Sequence, residues 1–121
     1  MDKMILVVDD EAYISRALSF MFKKEGYACE TAENGKQALD MMGGQKPDLI
    51  FMDVDMPVKD GNETVTEIRK NKEWNDIHII MLTAKGQEAD RERGLQSGAN
   101  EYILKPFDPK SVLKKVKEIL G

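Results

Sequence analysis

The chain has 121 residues, a formal net charge of -4, 41% apolar and 33% charged residues, and one cysteine. This length suits a single hydrophobic core, and one cysteine excludes an internal disulfide, so we expect one domain over residues 1–121 in a reducing, cytoplasmic setting. Residues 1–84 hold 10 Lys and Arg against 16 Asp and Glu, and residues 85–121 hold 8 against 6. The C-terminal segment is too weakly basic for direct nucleic-acid binding. The first apolar run is too short for a signal peptide or a membrane span.

Five apolar runs recur along the chain and predict five strands. Residues 4–8, 49–52, 77–82 and 102–104 are nearly continuous runs of apolar residues, while the run at 27–29 is weaker. Continuous aliphatic runs of this length are typical of strands covered on both faces, as in a parallel sheet flanked by helices.

The segments between these runs have apolar residues at helical spacing, with Gly26 and Gly43-Gly44 as stops and Asn34 as a cap. They predict helices over residues 11–25, 34–44, 62–72 and 111–120. Residues 87–97 differ, because only Ala89 and Leu95 are apolar and Gly94 interrupts the segment. We expect a weakly anchored helix there, at the low-stability end of the structure.

The alternation of strand and helix predicts an α/β fold, (βα)5, with a doubly wound, five-stranded parallel sheet. Right-handed crossovers bring the carboxyl ends of all the strands to one edge, and that edge carries the site in such sheets. Polar residues end or follow four of the five strands: Asp9, Asp10 and Glu11; Asp53 and Asp55; Thr83; and Lys105.

The acidic residues at this edge predict a metal site. Burying Asp9, Asp10 and Asp53 close together is costly unless a cation shares the site or some carboxylates hold protons. Because only oxygen ligands are offered, Mg²⁺ is favoured over zinc or copper.

The same residues suit phosphoryl transfer. The Asp53 carboxylate can attack phosphorus to give an acyl phosphate, while Lys105 and the metal neutralise the incoming charge and Thr83 donates a hydrogen bond to a phosphoryl oxygen. Positioning and charge stabilisation are sufficient for this chemistry without a general base.

The order of short motifs resembles the receiver domain of two-component response regulators, the CheY-like family, over essentially the whole chain. The resemblance rests on Val8-Asp9-Asp10-Glu11, Met52-Asp53, Met56-Pro57, Gly61, Leu82-Thr83-Ala84, Gly98-Ala99, and Tyr102 before Lys105-Pro106-Phe107. It implies a flavodoxin-like sheet with strand order 2-1-3-4-5 and a signalling domain rather than an enzyme acting on other substrates.

The resemblance also implies roles for the acidic residues. Asp53 takes the phosphoryl group from the phosphohistidine of a histidine kinase or phosphotransfer protein, in a step that needs Mg²⁺. Asp10, Asp53 and the backbone carbonyl of Asp55 bind the metal directly, and Asp9 acts mainly through water.

Three further residues are assigned by the resemblance to signal relay. Thr83 and Lys105 hold the phosphoryl oxygens, and the ring of Tyr102 turns inward when Thr83 moves toward the phosphoryl group. The change reaches the face formed by the fourth helix, fifth strand and fifth helix, where a downstream target or output domain binds, as a monomer or as a phosphorylation-dependent dimer. The Lys105-Pro106 bond is expected to be cis.

Three other interpretations compete with this one. A haloacid-dehalogenase-type phosphatase would use Asp53 as nucleophile and Asp55 as general acid, but its second acidic pair follows the lysine, whereas Asp9 and Asp10 precede the nucleophile here. In a flavin-nucleotide binder, Asp9-Asp10-Glu11 would repel the phosphate. A receiver that only docks is disfavoured by the intact set of Asp53, Thr83 and Lys105.

No output domain is visible in this sequence, because the last predicted helix reaches Leu120 and the chain ends at Gly121. That favours a stand-alone regulator, although one domain of a longer regulator would give the same pattern.

Overall fold

Strands and helices alternate along the chain. The computed structural model describes residues 3–54, 56, 59–84 and 88–121, with the backbone alone for 88–91. The predicted strand-helix alternation is confirmed. The elements are β1 (Met4–Val8), α1 (Ala12–Lys24), β2 (Ala28–Ala32), α2 (Gly35–Gly44), β3 (Leu49–Asp53), α3 (Gly61–Lys70), a 3-10 turn (Lys72–Trp74), β4 (His78–Ala84), α4 (Glu88–Ser97), β5 (Glu101–Lys105) and α5 (Pro109–Leu120).

The five strands form one parallel sheet in the order β2-β1-β3-β4-β5, as the resemblance implied. On one face, α1 and α5 cover a core that includes the stacked rings of Phe22 and Phe51, whose centroids are 5.5 Å apart. On the other face, Met42 of α2 and Val65 and Ile68 of α3 pack on the strands. Because both faces are covered, the central strands are buried throughout, which explains their continuous apolar runs.

Local sequence signals fix several helix ends. The side chain of Asn34 accepts a hydrogen bond from the Gln37 amide, and Asp60 and Asp108 cap α3 and α5 in the same way. Gly26, with φ of +96°, follows the end of α1 in the left-handed conformation that glycine adopts most easily. None of the described helices is long and apolar enough to cross a membrane.

β2 and β4 extend furthest past the predicted ends of their strands. β2 continues through Glu30 and Thr31 to Ala32, because an edge strand with one neighbour tolerates exposed polar residues. β4 extends to Ala84, so Thr83 lies inside the strand rather than after it. In this 7-residue strand Thr83 pairs with Leu104 of β5, and this register fixes the position of Thr83 along the strand direction.

The fourth helix, predicted over residues 87–97, is confirmed. α4 runs without a break from Glu88 to Ser97, and Gly94 is buried inside it. A Cβ at this position would lie 3.1 Å from Cγ of Met81 on β4. Glycine therefore allows α4 to approach the sheet closely, while Leu95 on the same helix stays 40% exposed.

Candidate functional site

The site lies where the strand order reverses between β1 and β3. Asp9 directly follows β1, and Asp53 is the last residue of β3. The two side chains are buried, with residue exposures of 2% and 5%, whereas Asp10 is exposed. Carboxylate oxygens of Asp9, Asp10 and Asp53 all lie within 4.8 Å of one another. The sequence therefore predicted correctly that the fold brings these three residues together.

Lys105, the last residue of β5, reaches into this acidic cluster. Its Nζ lies 2.9 Å from Oδ2 of Asp9, 3.0 Å from Oε1 of Glu11 and 3.4 Å from Oδ1 of Asp53. The peptide bond from Lys105 to Pro106 is cis, as expected from the resemblance. One ammonium group thus faces three carboxylates, so the cluster keeps a net negative charge.

The charges of the cluster perturb one another. Burial, and then the negative charge of Asp9, raise the pKa of Asp53 to about 7, although Lys105 acts in the opposite direction. Burial alone would lower the pKa of Lys105, but its hydrogen bonds to Asp9 and Glu11 outweigh burial and raise that pKa. Lys105 therefore stays charged at neutral pH, while Asp53 without a metal is protonated in part.

The donor set fits a magnesium ion. The cluster offers carboxylate oxygens without sulfur or imidazole, and two of its three carboxylates are buried beside each other at a cost that a divalent cation would offset. Asp9, Asp10 and Asp53 are the described residues that would hold it. The backbone carbonyl of Asp55, also expected as a ligand, lies outside the described residues.

Asp9 makes further contacts within the protein. It contacts Lys105 directly, and its Oδ1 accepts a hydrogen bond of 2.9 Å from the Glu11 amide. The Ser15 hydroxyl of α1 donates to the backbone carbonyl of Asp9 at 3.2 Å. These contacts hold the start of α1 against the end of β1.

Thr83 lies on the strand next to Asp53, at the same edge of the sheet. It is 1% exposed, and its Oγ1 has no hydrogen-bond partner among the residues that the structure describes. Because cross-strand partners share a face, Thr83 and Leu104 point to the α3 side, as do Met81 and the half-buried Tyr102. The predicted switch residues Thr83 and Tyr102 thus share one face, two positions apart in register.

Gly61 holds the first turn of α3 against the end of β3. Its amide donates a hydrogen bond of 3.0 Å to the carbonyl of Val54, directly after Asp53. A Cβ at Gly61 would lie 2.3 Å from the backbone oxygen of Asp53, a distance that no side chain can accept without movement of the backbone. The glycine in the sequence motif is therefore required by the approach of α3 to the acceptor strand.

Sequence reasoning left Glu11 and Tyr13 without a role. Glu11 binds Lys105 through Oε1 and accepts a 2.7 Å hydrogen bond from the Tyr13 hydroxyl through Oε2. The position of Glu11 directly after the acidic pair was a signal that it lies near the site. Its partner Lys105 is 94 residues away in the chain, so only the folded protein reveals the pair.

Comparisons with known proteins agree with this geometry. A family model described as response regulator receiver domain matches residues 5–117. The transcriptional regulatory protein ResD of Bacillus subtilis is 47% identical over 116 residues, which are 96% of this chain and 47% of ResD. The phosphate regulon transcriptional regulatory protein PhoB of Pseudomonas aeruginosa is 42% identical over 118 residues, 98% of this chain and 52% of PhoB.

Solved structures give the same result for the fold. The chemotaxis response regulator CheY4 of Vibrio cholerae superposes with a TM-score of 0.92 at 32% identity, covering 99% of this chain and 100% of that one. The chain spans about half the length of the curated relatives ResD and PhoB. It belongs to the receiver domains of two-component response regulators, a family whose general role is to accept a phosphoryl group in signal transduction.

Proposed function

We propose that Asp53 is the phosphoryl acceptor and that a phosphohistidine of a histidine kinase or phosphotransfer protein is the donor. A carboxylate oxygen of Asp53 attacks phosphorus, a P–O bond forms, the P–N bond breaks, and the histidine nitrogen keeps the electron pair. The observation that carries this proposal is the buried Asp53 carboxylate, set among acidic groups with the Lys105 ammonium 3.4 Å away. A divalent cation held by the same acidic groups would offset their negative charge and allow a phosphoryl group to approach Asp53.

Mg²⁺, held by Asp9, Asp10 and Asp53, with Asp55 as a further proposed ligand, would supply positive charge to the phosphoryl oxygens. Lys105 contributes a second positive charge from the side of β5. Thr83 contributes a hydroxyl whose oxygen has no other partner among the described residues and which is therefore available to donate to a phosphoryl oxygen. These groups act by position and charge, so the domain needs no general base.

The signal would leave the site through Thr83 and Tyr102. Both side chains point to the same face of the sheet, beside α4. Among the described residues, Gly94 brings α4 close to Met81 on this face. We place the partner surface on α4, β5 and α5, where a downstream protein or an output domain would bind, either to a monomer or to a dimer formed on phosphorylation. ResD and PhoB are described as transcriptional regulators, so an output domain that acts in transcription is one such partner. The exchange with a histidine kinase would take place in the cytoplasm.

Intact mass after acid quench tests the proposal. The protein is mixed with Mg²⁺ and acetyl phosphate, beside an Asp53→Asn variant and a sample with excess EDTA. We expect one added phosphoryl group on the unaltered chain, and none on the variant or without metal. An adduct of equal yield on Asp53→Asn would refute Asp53 as the acceptor.

A parallel assay of phosphate release separates the receiver from the phosphatase interpretation. The receiver match over residues 5–117 favours slow release after a single transfer. Rapid, repeated turnover of several phosphate esters would instead indicate a haloacid-dehalogenase-type phosphatase. Neither adduct nor turnover would indicate a domain that works by docking alone.

A further inference from the structure

Glu11 has no task in the proposed transfer, yet both of its carboxylate oxygens are engaged. Oε1 lies 3.0 Å from the Lys105 ammonium, and Oε2 accepts a 2.7 Å hydrogen bond from the Tyr13 hydroxyl. The Glu11 amide is also fixed, because it donates to the Asp9 carboxylate. A carboxylate held at both oxygens and at its own backbone has a defined position beside the site.

The Lys105 ammonium lies closer to Asp9 and Glu11 than to Asp53. The distances from Nζ are 2.9 Å, 3.0 Å and 3.4 Å respectively. A phosphoryl group on Asp53 would bring a charge of about -2 and would draw this ammonium toward it. Glu11 therefore competes with the phosphoryl group for the same cation.

We propose that Glu11, held in place by Tyr13, is a positioning residue that restrains Lys105 and slows phosphorylation of Asp53. This inference rests on the proposed function, because it concerns the same transfer. Tyr13 carries no charge at neutral pH, but its hydroxyl orients Glu11 toward Lys105. Tyr13 is 69% exposed in the first turn of α1, so the restraint links the buried site to the protein surface.

The test compares initial rates of adduct formation with acetyl phosphate at saturating Mg²⁺, using the full chain. We expect Glu11→Gln to react about two to five times faster, the size that a half-exposed ion pair can give. Tyr13→Phe keeps the net charge and should react about twofold faster. The matched control is Glu118→Gln, which removes one exposed charge from the last turn of α5, at the opposite end of the sheet, and should leave the rate unchanged.

The fluorine resonance of labelled Tyr13 provides a second test. This resonance would not change on phosphorylation if Glu11 and Tyr13 had a purely structural role. The chain has three tyrosines, so fluorotyrosine labelling gives three resonances, assigned by Tyr→Phe variants. The Tyr13 resonance should shift on phosphorylation because Lys105 leaves Glu11. That response should be lost in Glu11→Ala. Tyr27, whose hydroxyl donates to the carbonyl of Gly121, should not respond and serves as the internal reference.

Each remaining outcome has one meaning. An unchanged or slower rate for Glu11→Gln, with the adduct still formed on the unaltered chain, would overturn the restraint and leave the proposed function intact. A rise as large for Glu118→Gln would show an effect of overall charge and would also overturn it. An unchanged rate for Tyr13→Phe would refute the part assigned to Tyr13. Failure of the unaltered chain to form any adduct would instead refute the proposed function.

Discussion

Replacing Asp53 by Asn should stabilise the metal-free protein, by an amount that depends on pH. The pKa of Asp53 rises from 3.8 to about 7 on folding, because of burial first and the charge of Asp9 second. A carboxyl whose pKa is higher in the folded state binds its proton more tightly there, so the folded state loses stability as the pH rises from 3.8 to about 7. At 1.36 kcal/mol per pH unit, this loss is at most about 4 kcal/mol, of which about 3 kcal/mol falls between pH 5 and pH 8. Asn cannot ionise and avoids the loss.

Urea unfolding in EDTA at pH 5 and pH 8 measures this effect on the unaltered chain and on Asp53→Asn. The difference in free energy of unfolding should favour the variant and should widen by about 3 kcal/mol from the lower to the higher pH. Adding Mg²⁺ at pH 8 should stabilise the unaltered chain far more than the variant, because a ligand of the folded state adds to its stability. A difference that stays constant with pH would refute the claim that Asp53 ionises at a cost in this cluster.

Two further predictions concern the framework around the site. Gly61→Ala should destabilise the protein by about 1–3 kcal/mol, because the added Cβ would lie 2.3 Å from the Asp53 carbonyl oxygen. Gly43→Ala in α2 is the control: its added Cβ would meet nothing within 4 Å, so this variant should be more stable by up to about 1 kcal/mol. Equal changes in the free energy of unfolding in urea would contradict the steric argument. Arg69→Met should cost about 2–4 kcal/mol, because the guanidinium donates to the carbonyls of Trp74, Ile77 and Gly98. In the Arg69→Met variant, backbone amide hydrogen exchange should rise most at the carboxyl end of α4. Unchanged exchange there would show that Arg69 does not anchor that helix.

The fold could be predicted largely from patterns that are local in the sequence. Continuous apolar runs identified the central strands because both faces of the sheet are covered, and Asn34 marked a helix start because its side chain satisfies a free amide. The reason for a glycine at Gly94 could not be predicted, because it depends on how α4 packs against β4. Only the approach of α4 to Met81 shows why glycine is tolerated inside a helix there.

The candidate site was predictable to the extent that strand ends converge. That rule placed Asp9, Asp53 and Lys105 at one edge of the sheet, and the structure brings them within ion-pair distance. The rule cannot say which carboxylates share the lysine, since this depends on side-chain reach in the folded state. The link from Lys105 through Glu11 to Tyr13 could not be predicted for the same reason. Glu11 and Lys105 are 94 residues apart in the chain, and only the fold brings them together.

Locating the phosphoryl group tests the central claim most directly. After reaction with acetyl phosphate and Mg²⁺, borohydride reduces an aspartyl phosphate to homoserine, which peptide mass mapping then assigns to a position. We predict homoserine at position 53 and at no other aspartate. Homoserine at Asp9 or Asp10 instead, or a phosphate that resists reduction and maps to Thr83, would contradict the assignment of Asp53 as the acceptor.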